Sequence, residues 1–134
     1  MREVIVDRPI TRSVVQSFRD LNVWQRSMEL TVHIYRLTQR FPREEAFGLT
    51  SQLRRSAVSV PSNIAEGHGR MNPREFKRFL LIARGSNCEL QTQLELSGAL
   101  EFGDPQPLST VQKLSREVDK MLFALLGNLQ NKTG

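Results

Sequence analysis

The chain is poor in the residues that most enzymes and metal proteins depend on. Its one cysteine, Cys88, can close no internal disulfide and forms no metal motif. The two histidines are no better placed. Glu29 and His33 are four apart, and Glu66 and His68 two apart, whereas a di-iron carboxylate bundle needs Glu-x-x-His. Gly67-x-Gly69 lacks the third glycine and the preceding strand of a dinucleotide fingerprint. The serines at 56, 59, 62 and 86 lie in no nucleophile-elbow context. No eighteen apolar residues run together, so no helical membrane span is expected. The opening residues MREVIVDRPITRSVV carry acids and lack the apolar segment of a signal peptide. A reducing cytoplasm is the expected compartment. No cofactor and no metal is expected, and nothing specifies an enzyme.

What the chain does have is arginine. Fifteen of its nineteen basic residues are Arg, and the net charge is +5. Residues 1–84 hold fifteen Lys/Arg against eight Asp/Glu, and residues 85–134 hold four against six. Guanidinium groups pair bidentately with phosphate and stack on bases, so the bias suits a nucleic-acid surface. It equally suits a basic, well-solvated surface with no dedicated partner.

Apolar spacing predicts an all-α fold. Residues 1–20 lack a helical stripe and read as a flexible, basic N-terminal arm. A first helix is expected over Leu21–Phe41, N-capped by Asp20. Its face is Trp24, Met28, Thr31, Tyr35 and Thr38, widened by Leu21, Val32 and Ile34. These aromatic rings read as core, because a stacking platform needs exposed rings. The second helix, Leu49–Gly69, buries Leu49, Leu53, Ala57, Val60 and Ile64 and contains Pro61. Asn72 is the expected N-cap of a third helix, Pro73–Phe102, with Pro73 at its first position and Glu75 placed for a near capping box. That helix should bury Phe76, Phe79, Leu80, Ala83, Leu90, Leu94 and Leu96, with Cys88 beside them, and Gly85 marks a close approach. Gly103, Asp104, Pro105 and Pro107 read as a turn before a fourth helix, Ser109–Leu129. Four amphipathic helices on short loops pack most simply as an antiparallel up-and-down bundle over residues 21–130.

Two clusters carry the functional expectations. Asn63, Glu66, Ser86 and Glu89 lie beside the apolar stripes. One reading makes Glu66 and Glu89 a carboxylate site. The favoured one makes all four a polar network that fixes helix register and satisfies the Ala57 carbonyl, which Pro61 leaves without its helical donor. The second cluster is basic: Arg54 and Arg55 off the stripe of the second helix, then Arg70, Arg74, Lys77 and Arg78 around the following turn. Gathered on one surface, these six would form a phosphate footprint without sequence readout.

The order of short motifs also resembles a family. Phe18-x-x-Leu21, Val23-Trp24-Gln25, Ile34-Tyr35, Phe41-Pro42-x-x-Glu45, Phe47-Gly48-Leu49, Gln52-Leu53-Arg54-Arg55, Asn63-Ile64-Ala65-Glu66-Gly67 and Ala83-x-Gly85-Ser86-x-x-Glu89 occur in unbroken succession. They are similar to those of bacterial four-helix-bundle proteins that include the products of 23S rRNA intervening sequences. The resemblance implies an antiparallel bundle assembled as a homopentamer. It extends to the accessory proteins of diversity-generating retroelements, basic pentamers that bind nucleic acid and a reverse transcriptase. It implies no catalytic residue. Two functions follow as expectations: RNA or DNA binding through the arginines, or a scaffold for a protein partner such as a reverse transcriptase.

Overall fold

The computed structural model describes residues 15–133, with side chains through Leu129. Four helices follow one another: α1 (Asn22–Thr38), α2 (Leu49–Gly69), α3 (Pro73–Ala99) and α4 (Pro105–Thr133). Each packs on two neighbours, α1 on α2 and α4, and α3 on α2 and α4. Contacts that climb one helix descend the next. Thr31 meets Ala57 while Thr38 meets Arg54. Ser59 meets Ser86 while Gly67 lies against Phe79. Arg84 reaches Asp119 while Asn87 reaches Ser115. The bundle is therefore antiparallel and up-and-down, as the apolar spacing predicts. Among the described residues no helix is long and apolar enough to cross a membrane.

The α1 stripe is turned from the expected one. Val23, Ser27, Leu30, Ile34, Leu37 and Thr38 are buried, while Met28 and Tyr35 are 40% exposed. Steps of three and four link both sets, and one residue of offset rotates a helical face by about 100°. Trp24, half-buried, flanks the core and meets Phe18 edge-on at 5.2 Å. Leu96 and Cys88 on α3 are likewise exposed rather than buried.

Helix ends depart from expectation where proline or a distant side chain takes over. Asp20 does not cap α1. Its carboxylate accepts from the Gln16 and Ser17 backbones and closes a capping box on a 3-10 turn, Phe18–Asp20. The last residues of the expected arm thus pack against α1, and residues 1–14 lie outside the described ones. At α2 the side-chain cap comes from Glu45, whose Oε1 accepts from Leu49 N at 2.9 Å. Asn72 caps α3 as expected, accepting from Arg74 N and Glu75 N. Glu75 does not complete a capping box and turns to Arg70 and Arg78. Pro105 and Pro107 begin α4 rather than precede it, since first-turn positions have no N–H partner to lose.

Helix α2 runs unbroken through Pro61, which is buried. The carbonyl of Ala57 loses its usual donor there. Thr31 of α1 takes its place in part: its one hydroxyl proton is shared between Ala57 O at 3.1 Å and Ser27 O at 2.8 Å. Between α3 and α4, Asn87 and Ser115, both fully buried, bond reciprocally. Asn87 Nδ2 donates to Ser115 O at 2.9 Å and Ser115 Oγ donates to Asn87 Oδ1 at 2.8 Å.

The close helix approach expected at Gly85 occurs at Gly67. A Cβ on Gly67 would stand 2.6 Å from Phe79 Cβ, whereas one on Gly85 would meet nothing within 4 Å.

Two stability predictions follow, both read by urea unfolding. Thr31→Val should cost about 1–3 kcal/mol by leaving the Ala57 carbonyl unpaired, and much less in a Pro61→Ala background, where residue 61 regains its N–H. Gly67→Ala should destabilise by about 1–3 kcal/mol, while Gly85→Ala should stabilise by about 0.5–1 kcal/mol.

Candidate nucleic-acid interface

The six basic residues fall into two groups. Arg55 and Arg70 are separated by fifteen residues of α2, about 22 Å of helix. One surface does not gather all six, and the expected single footprint divides into a site near the start of α2 and a patch at the α2–α3 turn.

Arg54 belongs to neither as a free cation. Its Nε donates to Thr38 Oγ1 at 2.8 Å, and one terminal nitrogen lies 3.4 Å from Tyr35 O. The guanidinium covers the Tyr35 ring at 4.5 Å. It is thereby fixed over the last turn of α1, where the helix dipole favours a cation. Arg55, one residue on, is exposed and carries no ion pair among the described residues.

The patch at the turn is built on Phe79. This ring, 7% exposed, lies under two guanidiniums, Arg78 at 4.5 Å and Arg70 at 4.9 Å. Arg70 also pairs with Glu66 at 2.9 Å, and Glu75 is shared between Arg78 at 3.2 Å and Arg70 at 3.8 Å. The hydrogen bond from Arg78, then the charges of Arg78 and Arg70, hold the Glu75 carboxyl below its usual range. Such a group adds stability fully above its unfolded pKa and loses it as pH falls through the lowered folded value. Glu75 is therefore ionised at neutral pH and offsets part of the patch. Arg74 is exposed and Lys77 half-buried, and neither has an acidic partner among the described residues. They are the patch's two uncompensated charges.

Other arginines are paired across the bundle. Arg26 bridges α1 to Glu117 of α4 at 2.9 Å and also pairs with Glu29, and the Arg26 hydrogen bond holds Glu117 below its usual range. Arg84 pairs with Asp119 at 2.9 Å, and Arg40 with Asp104 at 3.3 Å.

The polar network is smaller than expected and differently composed. Asn63 Nδ2 donates to Ser59 O at 2.8 Å and to Ser59 Oγ at 3.0 Å, and Ser59 Oγ lies 2.7 Å from Ser86 Oγ. Glu66 and Glu89 are not members. Glu66 is paired with Arg70, and Glu89 is exposed on α3. From the Ser59–Ser86 contact, Glu66 lies seven residues on along α2 and Glu89 three along α3, in opposite directions, or about 15 Å apart axially. They do not form a carboxylate pair. The Ala57 carbonyl is served by Thr31, which the expected network did not include. Ser59 and Tyr35 were also missed as partners. Ser59 stands four residues before Asn63, and that same-face spacing is the signal that could have found it.

The architecture and this surface define a class: an antiparallel four-helix bundle with an arginine-rich turn, in which no three His, Cys, Asp or Glu among the described residues gather to hold a metal. A family model for the 23S rRNA-intervening sequence protein matches residues 19–124. The chain belongs to that family. It is also similar to a solved structure, a protein of unknown function from the S23 ribosomal protein family of Bacteroides thetaiotaomicron. The two share 25% identity over 78% of this chain and 97% of that one, with a TM-score of 0.70. Comparison with curated proteins finds no match.

Arg54 and Arg55 should separate in a stability assay. Arg54→Ala should lower unfolding free energy by about 1–2 kcal/mol through its lost stacking and hydrogen bonds. Arg55→Ala should change it by less than about 0.5 kcal/mol.

Proposed function

We propose that the protein is a non-enzymatic, self-associating bundle that binds RNA or DNA phosphates at the α2–α3 turn. The observation that carries this reading is the pairing of two uncompensated cations, Arg74 and Lys77, with two guanidiniums pre-positioned on the Phe79 ring. Holding Arg70 and Arg78 on a ring lowers the entropy lost when they meet phosphate. Arg54 leaves the binding set, because its donors serve α1. Self-association, as the homopentamer the family resemblance suggests, is supported by exposed apolar side chains on α3, at its C-cap and on α4. Leu81, Leu100 and Phe123 are each at least half exposed. Exposed Cys88 fits a reducing cytoplasm.

The test is titration of fluorescent oligonucleotides with full-length protein at several salt concentrations. Affinity should fall steeply with salt and depend little on sequence. Arg74→Gln with Lys77→Gln should reduce the log–log salt slope by about 1–2. Glu75→Gln should tighten binding at pH 7, by releasing Arg78 and removing a negative charge from the patch. A flat salt response, or an unchanged slope in the double variant, overturns the reading. A protein recovered by pull-down after nuclease treatment would instead support the scaffold function.

A further inference from the structure

The outer groove between α2 and α3, about 410 Å³, is lined by groups that the fold does not use. The first is Gln93. It lines the groove, the residue is 7% exposed, and its Oε1 is buried with no hydrogen-bond partner among the described residues. Buried carboxamides are normally satisfied, and an orphan costs free energy unless something else completes it. The second is a hydroxyl proton. Ser59 and Ser86 lie 2.7 Å apart, so one proton sits between them. Ser59 Oγ already accepts from Asn63, so the second hydroxyl proton is available to a further acceptor. The third and fourth are an opposite-charge set, Arg55 and Glu89, both exposed and neither in an ion pair among the described residues. The last is Phe47, whose side chain lines the groove in a residue 99% exposed. It contributes nothing to the core.

These groups specify the chemistry of an occupant. It must present a flat face to Phe47, a donor and an acceptor on one edge, and an anion toward Arg55. A carboxamide pairs in two-point fashion with the amino and ring nitrogens of adenine. Glu89, when ionised, only accepts, so it suits a base amino group and repels phosphate. An exposed aromatic ring beside a cation is how proteins hold single strands, by stacking plus backbone charge. A peptide would need separate aromatic and acidic side chains at matching spacing, whereas one nucleotide carries ring, edge and anion together.

We propose that this groove binds an unstacked, amino-bearing base of a single-stranded nucleic acid, stacked on Phe47 and edge-bonded by Gln93, with Arg55 on the adjoining phosphate. This rests on the nucleic-acid reading above and adds to it a base-holding site separate from the phosphate patch. The site lies near the start of α2, whereas Arg70 to Arg78 surround its far end. A strand spanning both would run along the α2–α3 face.

The experiment compares fluorescein-labelled oligo(dA) with an abasic oligomer of the same length, using the full chain and two variants. Phe47→Ala removes a wholly exposed ring, and Gln93→Leu replaces an unpaired carboxamide by an apolar group, so both should fold. Circular dichroism melting confirms that. Wild-type protein should bind oligo(dA) about tenfold tighter than the abasic strand, the scale of one base–aromatic stack. Each variant should erase that advantage while leaving the salt slope unchanged, since no phosphate contact is lost. Equal binding of the two strands by wild-type protein, or undiminished preference in both variants, overturns the groove and leaves phosphate binding standing. Binding of neither strand overturns the phosphate reading and the groove together.

Discussion

Buried polar groups must find partners, and in this bundle they find them on the next helix. An apolar stripe alone would let a helix slide by a turn with little loss, because leucine packs against leucine in several registers. A hydrogen bond admits one register. Every adjacent pair carries such a link: Thr31 to the Ala57 carbonyl, Ser59 to Ser86, Asn87 to Ser115, and Arg26 to Glu117. Three of these lie in or beside the core, where an unmade bond costs most. The Thr31 link is the most constrained, because Pro61 creates the need for it. Without a donor from α1, α2 would hold a carbonyl that no residue of its own can serve.

These links also explain where reading the pattern succeeded and where it stopped. Helix existence and the boundaries of α2 follow from apolar steps of three and four, which survive in any packing. Which face of α1 is buried does not, because two overlapping sets obey the same steps and large aromatic residues favoured the wrong one. Trp24 lies at the margin of the core, where its ring meets Phe18, and Tyr35 lies outside it, where its ring receives Arg54. The starts of α1 and α4 were shifted for a related reason. Caps depend on which backbone groups are left over, and Asp20 and Pro105 act on a neighbouring turn and a first turn respectively. Partners distant in sequence were invisible. The need at Ala57 could be foreseen from Pro61, but not the identity of its donor.

The same limit governs the arginines. Their number and clustering along the chain were legible, yet charge counts do not distinguish a guanidinium held by the fold from one left to solvent. Arg54 and Arg55 are neighbours in sequence and opposites in role. A step of about 100° puts one over the α1 terminus and the other in open groove. At the α2–α3 turn the acids Glu66 and Glu75 mute two of four cations without removing them from the surface. The effective charge there is set by Arg74 and Lys77, on a background of arginines whose positions are already determined.

This division of labour bears on how such a small bundle could hold a flexible strand. Phosphate attraction acts over about 8 Å at physiological salt and fixes no register on the nucleic acid. A second contact of different physics, short-ranged and directed at bases, would convert a mobile encounter into a held one. The α2–α3 face carries both kinds of group within one helix length, with uncompensated charge at the turn and, at the other end, a groove lined by Phe47 and by Gln93, whose Oε1 has no partner among the described residues. The fold keeps that end polar at some cost. Gln93 follows Leu90 and precedes Leu94 on the buried side of α3, where leucine would pack without an orphaned oxygen. Stability alone gives no reason for the carboxamide at that position, and a ligand that completes its hydrogen bonds does.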